Sequence, residues 1–437
     1  MPESVHLMGV GGVGMAAIAE LEAGRGAVVS GCDGSDSPAL ARLRALGVTT
    51  SVGHCPTHLD GIGRLVISSA IKPDNAELVA ARERDGLVVE HRSRALARIA
   101  EGRRLVAVAG THGKTTTSAM VVAALEGAGT DPSYAIGSTL VGRGSGAHIG
   151  ADDVMVIEAD ESDESFFNYS PLVAVVTNIG VDHLDHYGTP EAYFAAFRRF
   201  TERIRPGGAL IVGTSDEGGA RLAGWLEGRP GAPQIVVYEE GWTGLGLVGR
   251  HLELDAAAAG LAAEWLGASR AEARAGLSRF AGTARRFEAR GEANGVSLFD
   301  DYAHHPDEIS ATLAAARERV GAGRVLVVFQ PHLYSRTEQF AAGFAAALAA
   351  ADVIWLLDVY GAREDPKPGV DSGLIAAAMP AGREAVWLRD FATVPGLVAA
   401  GAKPGDLVLT MGAGDVTSLG QPIMAALTAR QREIQDQ

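Results

Sequence analysis

Lys114, Thr115 and Thr116 stand directly after a glycine turn, Gly110-Thr111-His112-Gly113, and that turn follows an apolar run, Leu105–Val108. Beyond them Met120, Val121, Ala124 and Leu125 recur at helical spacing. A strand, a glycine turn and a helix N-terminus together make a cradle for phosphate. Backbone N–H groups and the positive helix end face the anion, Lys114 adds a mobile charge, and Thr115 offers a hydroxyl to Mg²⁺. The longer G-x-x-x-x-G-K-[ST] pattern is not met, because Val108 stands where its first glycine would be. Phosphoryl chemistry also needs hard oxygen ligands for the metal. Glu158 and Asp160 supply carboxylates just past the apolar strand Val154–Ile157, and His183 can bind a second ion through neutral imidazole.

Two other groups of residues carry chemistry. Near the N-terminus Gly9, Gly11 and Gly14 satisfy G-x-G-x-x-G between a short strand, Val5–Met8, and a helix, Met15–Ala23. Asp33 follows 19 residues after the last glycine, at the end of a second strand. This is a dinucleotide-type fingerprint in its expected context, and the same geometry suits any diphosphate. Further along, Arg285-Arg286 lies in a polar break, where a surface basic pair is the plain reading and reach to a phosphate the functional one. His304-His305 has no C-x-x-C or H-E-x-x-H spacing beside it, so a dedicated zinc site is disfavoured there. Contact with a substrate suits this pair better, with a loop-capping pair as the plain alternative. Arg336, with its planar fork, suits a carboxylate.

The elements that must hold these groups read as α/β throughout. Strand-like runs at Ala27–Ser30, Leu65–Ser68, Val173–Thr177 and Ala209–Val212 alternate with helical patterns such as Ala76–Asp85. A polar break at Glu101–Arg104 precedes the phosphate-loop strand, and residues 214–249 are Gly-rich and read as irregular. A third unit has strands Ser297–Phe299, Arg324–Phe329, Val353–Leu357 and Asp406–Met411, with Ile309, Leu313, Ala316 and Val320 on one helix face. In each unit polar residues follow strand ends, where open parallel sheets place their ligands. The expected domains are residues 1–103, 104–290 and 291–437.

Composition narrows the function classes. A chain of 437 residues with 53 acidic and 38 basic side chains, net charge −15, is a poor partner for nucleic acid. No apolar run is long enough to cross a bilayer, and the N-terminus lacks a basic region followed by an apolar core, so cytoplasmic location without membrane insertion is expected. Only two cysteines, Cys32 and Cys55, argue against a disulfide framework or a cysteine-built metal site.

The motifs together resemble the Mur ligase family. The matching stretches are HLMGVGGVGM, GTHGKTTT, EADESDESF, VTNIGVDHLDHY, ARRFE, DDYAHHPDE, FQPHLYSRT, DVYGARE and MGAGD, in family order from residue 6 to residue 415. The resemblance implies three α/β domains: an N-terminal Rossmann-like UDP-sugar-binding domain, a central P-loop ATPase-type domain and a C-terminal Rossmann-like domain. It implies that a muramyl carboxylate attacks the γ-phosphate of ATP and that an amine then displaces phosphate from the acyl phosphate. DYAHHP and FQPHLYSRT belong to the alanine-adding type, so the implied substrates are UDP-N-acetylmuramate and L-alanine, with ATP and Mg²⁺. By the same matching, Gly110, Thr111, His112, Gly113, Lys114, Thr115 and Thr116 hold ATP phosphates. Thr115, Glu158 and His183 hold Mg²⁺, Asn178 and His251 lie near adenine, Arg286 reaches the γ-phosphate and Asp301 the ribose. Tyr302, His304 and Arg336 surround the alanine, while Gly11, Gly12, Gly14, Asp33 and Ser69 line the UDP-sugar site. A monomer or homodimer is implied.

Several positions depart from the family pattern. In G-x-H-N-x-x-N-A, here Gly249–Ala256, both asparagines are replaced, by Leu252 and Asp255. An ionised Asp255 beside adenine accepts hydrogen bonds but donates none; alternatively it caps a helix. Leu333 stands where many members carry an arginine, residues 216–249 are shorter than usual, and Arg198 replaces a lysine that several sister ligases carbamylate, so no carbamate is expected. The competing readings are a ligase that recycles preformed peptides, a catalytically weak nucleotide-binding paralogue, and an NAD-dependent oxidoreductase, which leaves residues 105–415 unexplained.

Overall fold

The structure is a computed structural model describing residues 3–362 and 364–435. Two compact units form, one from residues 1–246 with 253–281 and the other from residues 247–252 with 282–437. Among the described residues no helix is long and apolar enough to cross a membrane.

The first unit holds two sheets. The N-terminal one comprises β1 (Ser4–Met8), β2 (Val28–Asp33), β3 (Thr49–Val52), β4 (Arg64–Ile67) and β5 (Val88–His91), all parallel in the order β3-β2-β1-β4-β5. The chain reverses direction across the sheet between β1 and β4, which opens a crevice above the end of β1. The second sheet comprises β6 (Arg104–Ala109), β7 (Ser133–Ala135), β8 (Ala147–His148), β9 (Val154–Glu158), β10 (Val173–Val176), β11 (Ala209–Gly213) and β12 (Gln234–Tyr238). Their order is β12-β11-β10-β6-β9-β7-β8, parallel except for the β7–β8 pair. Residues 105–109 are all buried, as the near-continuous apolar run of a doubly covered parallel strand requires. Leu105, Ala107 and Ala109 share one apolar core with Met15, Ile18 and Leu21 of the helix Val13–Gly24, so the two sheets are braced against one body of side chains.

The second unit has a six-stranded sheet: β13 (Glu288–Ala293), β14 (Val296–Asp301), β15 (Val325–Phe329), β16 (Val353–Leu356), β17 (Val386–Trp387) and β18 (Leu407–Met411). The order is β13-β14-β18-β15-β16-β17, with only β13 antiparallel to its neighbour. The border expected at 290/291 falls inside β13, whereas the compact units part at 281/282.

Two expectations need correction. Residues 214–249 are not wholly irregular: they supply a helix, Glu217–Leu226, capped by Asp216 accepting from Gly219 N, and the edge strand β12. The glycines that suggested a loop are spread along this helix and the turns after it, where backbone pairing overrides their low propensity. Asp255 also does not cap a helix. The helix runs Arg250–Trp265, so Asp255 lies inside it, and Ala-rich spacing on the far side concealed the earlier start.

Candidate active site

Because β6 sits between β10 and β9, the turn after β6 is flanked by the ends of both neighbours. Gly110 has φ +138°, and a Cβ there would lie 2.0 Å from Thr177 Oγ1, so only glycine fits. Thr177 Oγ1 donates to His112 O at 2.6 Å, Asn178 Nδ2 donates to the same oxygen at 3.0 Å, and Asn178 Oδ1 accepts from His112 N at 3.0 Å. Thr111 N donates to Asn178 O at 3.0 Å. Asn178, matched to an adenine-neighbouring position, thus also fixes the shape of the phosphate loop. Gly113, at φ +82°, is the N-cap of the helix Lys114–Gly127 and no side chain caps it, so the first-turn N–H groups face outward for an anion.

Lys114 Nζ donates to Gly110 O at 2.7 Å, Thr111 O at 3.1 Å and Glu161 Oε1 at 2.9 Å. Burial works to lower the pKa of this ammonium. Glu161, Asp160 and Glu158 outweigh burial and raise it, so Lys114 stays charged. Glu158 Oε1 accepts from Thr115 Oγ1 at 3.1 Å and its Oε2 accepts from Gly137 N at 2.8 Å, which brings the two expected hard-oxygen groups together. His183, at φ +54°, has Nε2 3.6 Å from Glu161 Oε1 and 3.7 Å from Asp182 Oδ2. Burial lowers its pKa, but Glu161 and Asp182 together raise it. Thr116 is buried one residue further along the helix.

Sequence reasoning missed Glu161, which is fully buried and joins Lys114, His183 and Tyr193. The acidic run after β9 marked the neighbourhood, but not which acid turns inward. Asp255 proves to lie against the phosphate loop: a Cβ on Gly113 would be 2.6 Å from its Oδ1. Arg198, the position of a carbamylated lysine in sister ligases, stacks its guanidinium on Trp225 at 4.1 Å.

In the N-terminal sheet Gly9 has φ +75°, and Gly11 N donates to Asp33 Oδ2 at 2.9 Å. A Cβ on Gly11 would meet that carboxylate at 2.9 Å, so the acid locks the turn tightly. Gly12 is the uncapped N-cap of Val13–Gly24, and Ser69 is exposed just beyond β4. Arg92, also missed, connects this loop with the acidic run: it pairs with Asp160 at 3.3 Å and Asp163 at 3.7 Å, and a Cβ on Gly14 would lie 3.5 Å from its Nη1.

The second unit assembles another polar cluster beyond β14, β15 and β18. Tyr302 lies under both Arg285 and Arg286, at 4.8 and 5.1 Å from its ring centre. His304 Nδ1 lies 3.1 Å from Tyr302 O, and its ring is 6.0 Å from that of His332. Burial first, and then Arg336 and Arg286, push its pKa down to about 4 against the pull of Glu308, so the imidazole is neutral at pH 7. His305 is the N-cap of Pro306–Val320 in a capping box with Glu308, the capping role that was the plain alternative for this pair. Asp301 is buried and accepts from Phe287 N at 2.6 Å, Ala303 N at 2.8 Å and Thr312 Oγ1 at 3.2 Å. Burial pushes its pKa up to about 6 despite Arg286 and the backbone donors. His251 is half-buried near Ala315, and burial pushes it down to about 4. Leu333, at φ +69°, is buried just before the helix Tyr334–Leu348 that carries Arg336 in its first turn.

Models of the Mur ligase family match all three parts of the chain: the family's catalytic domain over residues 4–104, the Mur ligase middle domain over 108–240 and the glutamate ligase domain over 285–414. The chain belongs to the Mur ligase family. Within it, the chain is 51% identical to a UDP-N-acetylmuramate–L-alanine ligase of Kineococcus radiotolerans, covering 98% of this chain and 96% of the relative. It is 48% identical to one from Nocardioides sp., covering 97% and 96%. The crystal structure of the UDP-N-acetylmuramate–alanine ligase from Thermotoga maritima superposes with a TM-score of 0.80 at 26% identity, over 98% of this chain and 99% of that one.

Proposed function

We propose that this chain is an ATP-dependent ligase that joins L-alanine to the carboxylate of UDP-N-acetylmuramate, in the cytoplasmic assembly of peptidoglycan precursors. The observation that carries this reading is the group of half-buried Lys114 and Glu158 with buried Thr115 and Glu161 around an uncapped helix N-terminus, a site fitted to a phosphate chain and a hard cation. Mg²⁺ and ATP fit this donor set: Thr115 and Glu158 offer oxygen ligands, and Glu161 Oε2 is buried without a hydrogen-bond partner. Bound there, ATP supplies the phosphoryl group that turns a carboxylate, a poor electrophile, into an acyl phosphate, and Mg²⁺ offsets phosphate charge.

This chain's residues do the rest. The loop amides and Lys114 hold the phosphates and stabilise charge that grows on them in the transition state. Glu158 and Thr115 hold the first metal ion, and His183 with Glu158 the second. Gly11, Gly12, Gly14, Asp33 and Ser69 hold the UDP-sugar, and Arg92 ties their loop to the acidic run. Tyr302, neutral His304 and Arg336 receive the alanine, Arg336 facing its carboxylate; Arg286 and Asp301 serve the γ-phosphate and ribose, and Asn178 and His251 the adenine. UDP-N-acetylmuramate labelled with ¹⁸O in its carboxylate tests the route: one label should pass into inorganic phosphate per turnover, and unlabelled phosphate would overturn it.

A further inference from the structure

Five polar side chains converge behind the glycine turn of the N-terminal sheet, outside the machinery described above. His6 lies in β1, Cys32 near the end of β2, His54 and His58 in the segment after β3, and Glu77 in the first turn of the helix Ala76–Arg82. His6 is 1% exposed, and Cys32 and Glu77 are fully buried. Parallel pairing of β1 with β2 sets His6 beside Ser30 and Met8 beside Cys32, and both reactive side chains point to the same side of the sheet.

Cys32 Sγ is hydrogen-bonded to its neighbours, yet two of the cluster's buried atoms are not, which a coordination shell would explain. His6 Nε2 is 3.4 Å from Cys32 Sγ and 3.0 Å from Glu77 Oε1, while His58 Nδ1 is 3.4 Å from the same Oε1. Cys32 Sγ is 3.3 Å from Glu77 Oε2. Ligand atoms of His6, Cys32, His58 and Glu77 all lie within 4.8 Å of one another. Four ligands at tetrahedral zinc distances sit about 3.3–3.7 Å apart, and the pairs here start from 3.0–3.4 Å and stay within 4.8 Å, so small side-chain shifts bring them onto one ion. Although two imidazole nitrogens approach so closely, Glu77 Oε1 and His58 Nδ1 are buried with no partner in hydrogen-bonding geometry. These two atoms lie beside His6 and Cys32 within reach of one ion. A shared cation explains that arrangement; a proton on any one pair leaves the others unsatisfied.

We propose that His6, Cys32, His58 and Glu77 form a closed, tetrahedral site for a divalent transition metal, zinc by its mixed sulfur, nitrogen and oxygen ligands. Four protein ligands leave no open position, so the site is structural rather than catalytic. His54, with Nδ1 3.1 Å from Cys32 Sγ, flanks it and is able to replace a ligand. The cation joins β1, β2, the segment after β3 and the helix Ala76–Arg82. It thereby steadies the nucleotide-sugar turn, because Cys32 O accepts from Gly9 N at 2.8 Å and Val10 N at 3.0 Å.

The test is titration of the metal-free full chain with Co²⁺ and Zn²⁺ in the presence of excess Mg²⁺. Tetrahedral thiolate coordination gives strong visible cobalt bands and a near-ultraviolet sulfur-to-cobalt transition, which an oxygen-lined Mg²⁺ site cannot produce. The expected result is one equivalent bound with both signatures and displaced by Zn²⁺. Cys32→Ser should abolish the sulfur band, Cys55→Ser should keep it, and Glu77→Gln should weaken binding at least tenfold. Circular dichroism of each variant separates metal loss from misfolding. A folded wild-type chain that shows no sulfur-to-cobalt band, or one whose band survives Cys32→Ser and disappears with Cys55→Ser, overturns the proposal.

Discussion

Replacing Lys114 by methionine tests both halves of the phosphate-site account at once. Methionine keeps most of the volume and removes the charge. Loss of one preorganised group facing the transferred phosphoryl costs about 3–4 kcal/mol, about a hundred- to a thousandfold in kcat. The structure adds a second effect, because Glu161 is fully buried and Lys114 is its cationic partner at 2.9 Å. Breaking such a pair by removing one member costs about 3–5 kcal/mol. The stranded carboxylate can escape by taking up a proton, and for an ordinary glutamate at pH 7 that costs about 3.7 kcal/mol, which caps the loss. At pH 5 the same proton uptake costs about 1 kcal/mol. In the variant the folded state therefore binds the extra proton, so its stability deficit against wild type grows as pH rises and shrinks as pH falls. Denaturant unfolding at pH 5 and pH 7, beside ADP-release kinetics, reads both effects. Lys114→Met should be about 2–3 kcal/mol closer to wild type at pH 5 than at pH 7. The double variant Lys114→Met, Glu161→Gln should recover stability at pH 7 without recovering turnover. A deficit independent of pH, or a double variant no more stable than the single one, would refute the buried-pair argument; near-normal turnover would remove Lys114 from the mechanism.

Three other outcomes follow from the geometry. Glu158→Gln should raise the Mg²⁺ concentration at half-maximal rate about tenfold or more, since an amide is a weaker ligand for a hard cation; an unchanged Mg²⁺ titration would place the ion elsewhere. Asp255→Asn should lower the KM for ATP about fivefold, because a carboxylate held against the phosphate loop opposes binding of an anion by about 1 kcal/mol. Equal KM values would show that this carboxylate does not act on the nucleotide. Asp301, with its pKa raised to about 6, contributes stability that is present at low pH and lost as pH rises through 6. The advantage of wild type over Asp301→Asn should accordingly fall by about 1 kcal/mol from pH 5 to pH 7 in denaturant unfolding, and a constant or rising advantage would contradict the burial argument.

The inner strands of all three sheets were legible because parallel strands covered on both faces read as short apolar runs, whereas β3, β5, β7, β8, β12, β13 and β17, at or beside the sheet edges, were not; the glycine turns after β1 and β6 announce themselves through residues that only tight backbone geometry demands. Family motifs then located most candidate residues. What escaped was set by convergence of distant segments. Glu161 looks no different from Asp160 or Asp163 in the sequence, and only the turn after β9 decides which carboxylate meets Lys114. Arg92 reads as one of several surface arginines, yet the pairing of β5 beside β4 sets its helix against the acidic run. The His6–Cys32–Glu77 cluster has no spacing signature, because three of its ligands come from separate parallel strands and helices, and counting cysteines pointed away from it. Residues 214–249 hid a helix and a strand because glycine frequency dominated the local pattern.

The central claim is that the phosphate site and the cluster around Tyr302, His304 and Arg336 serve a single amino acid joined to a muramyl carboxylate. Initial rates of ADP release with UDP-N-acetylmuramate, measured with L-alanine, with a preformed peptide and with neither, test it most directly when the product is weighed by mass spectrometry. The account predicts one ADP per UDP-N-acetylmuramoyl-L-alanine formed, strict dependence on both substrates, and little or no rate with the peptide. Preference for the peptide, or no ADP release with alanine, would contradict it.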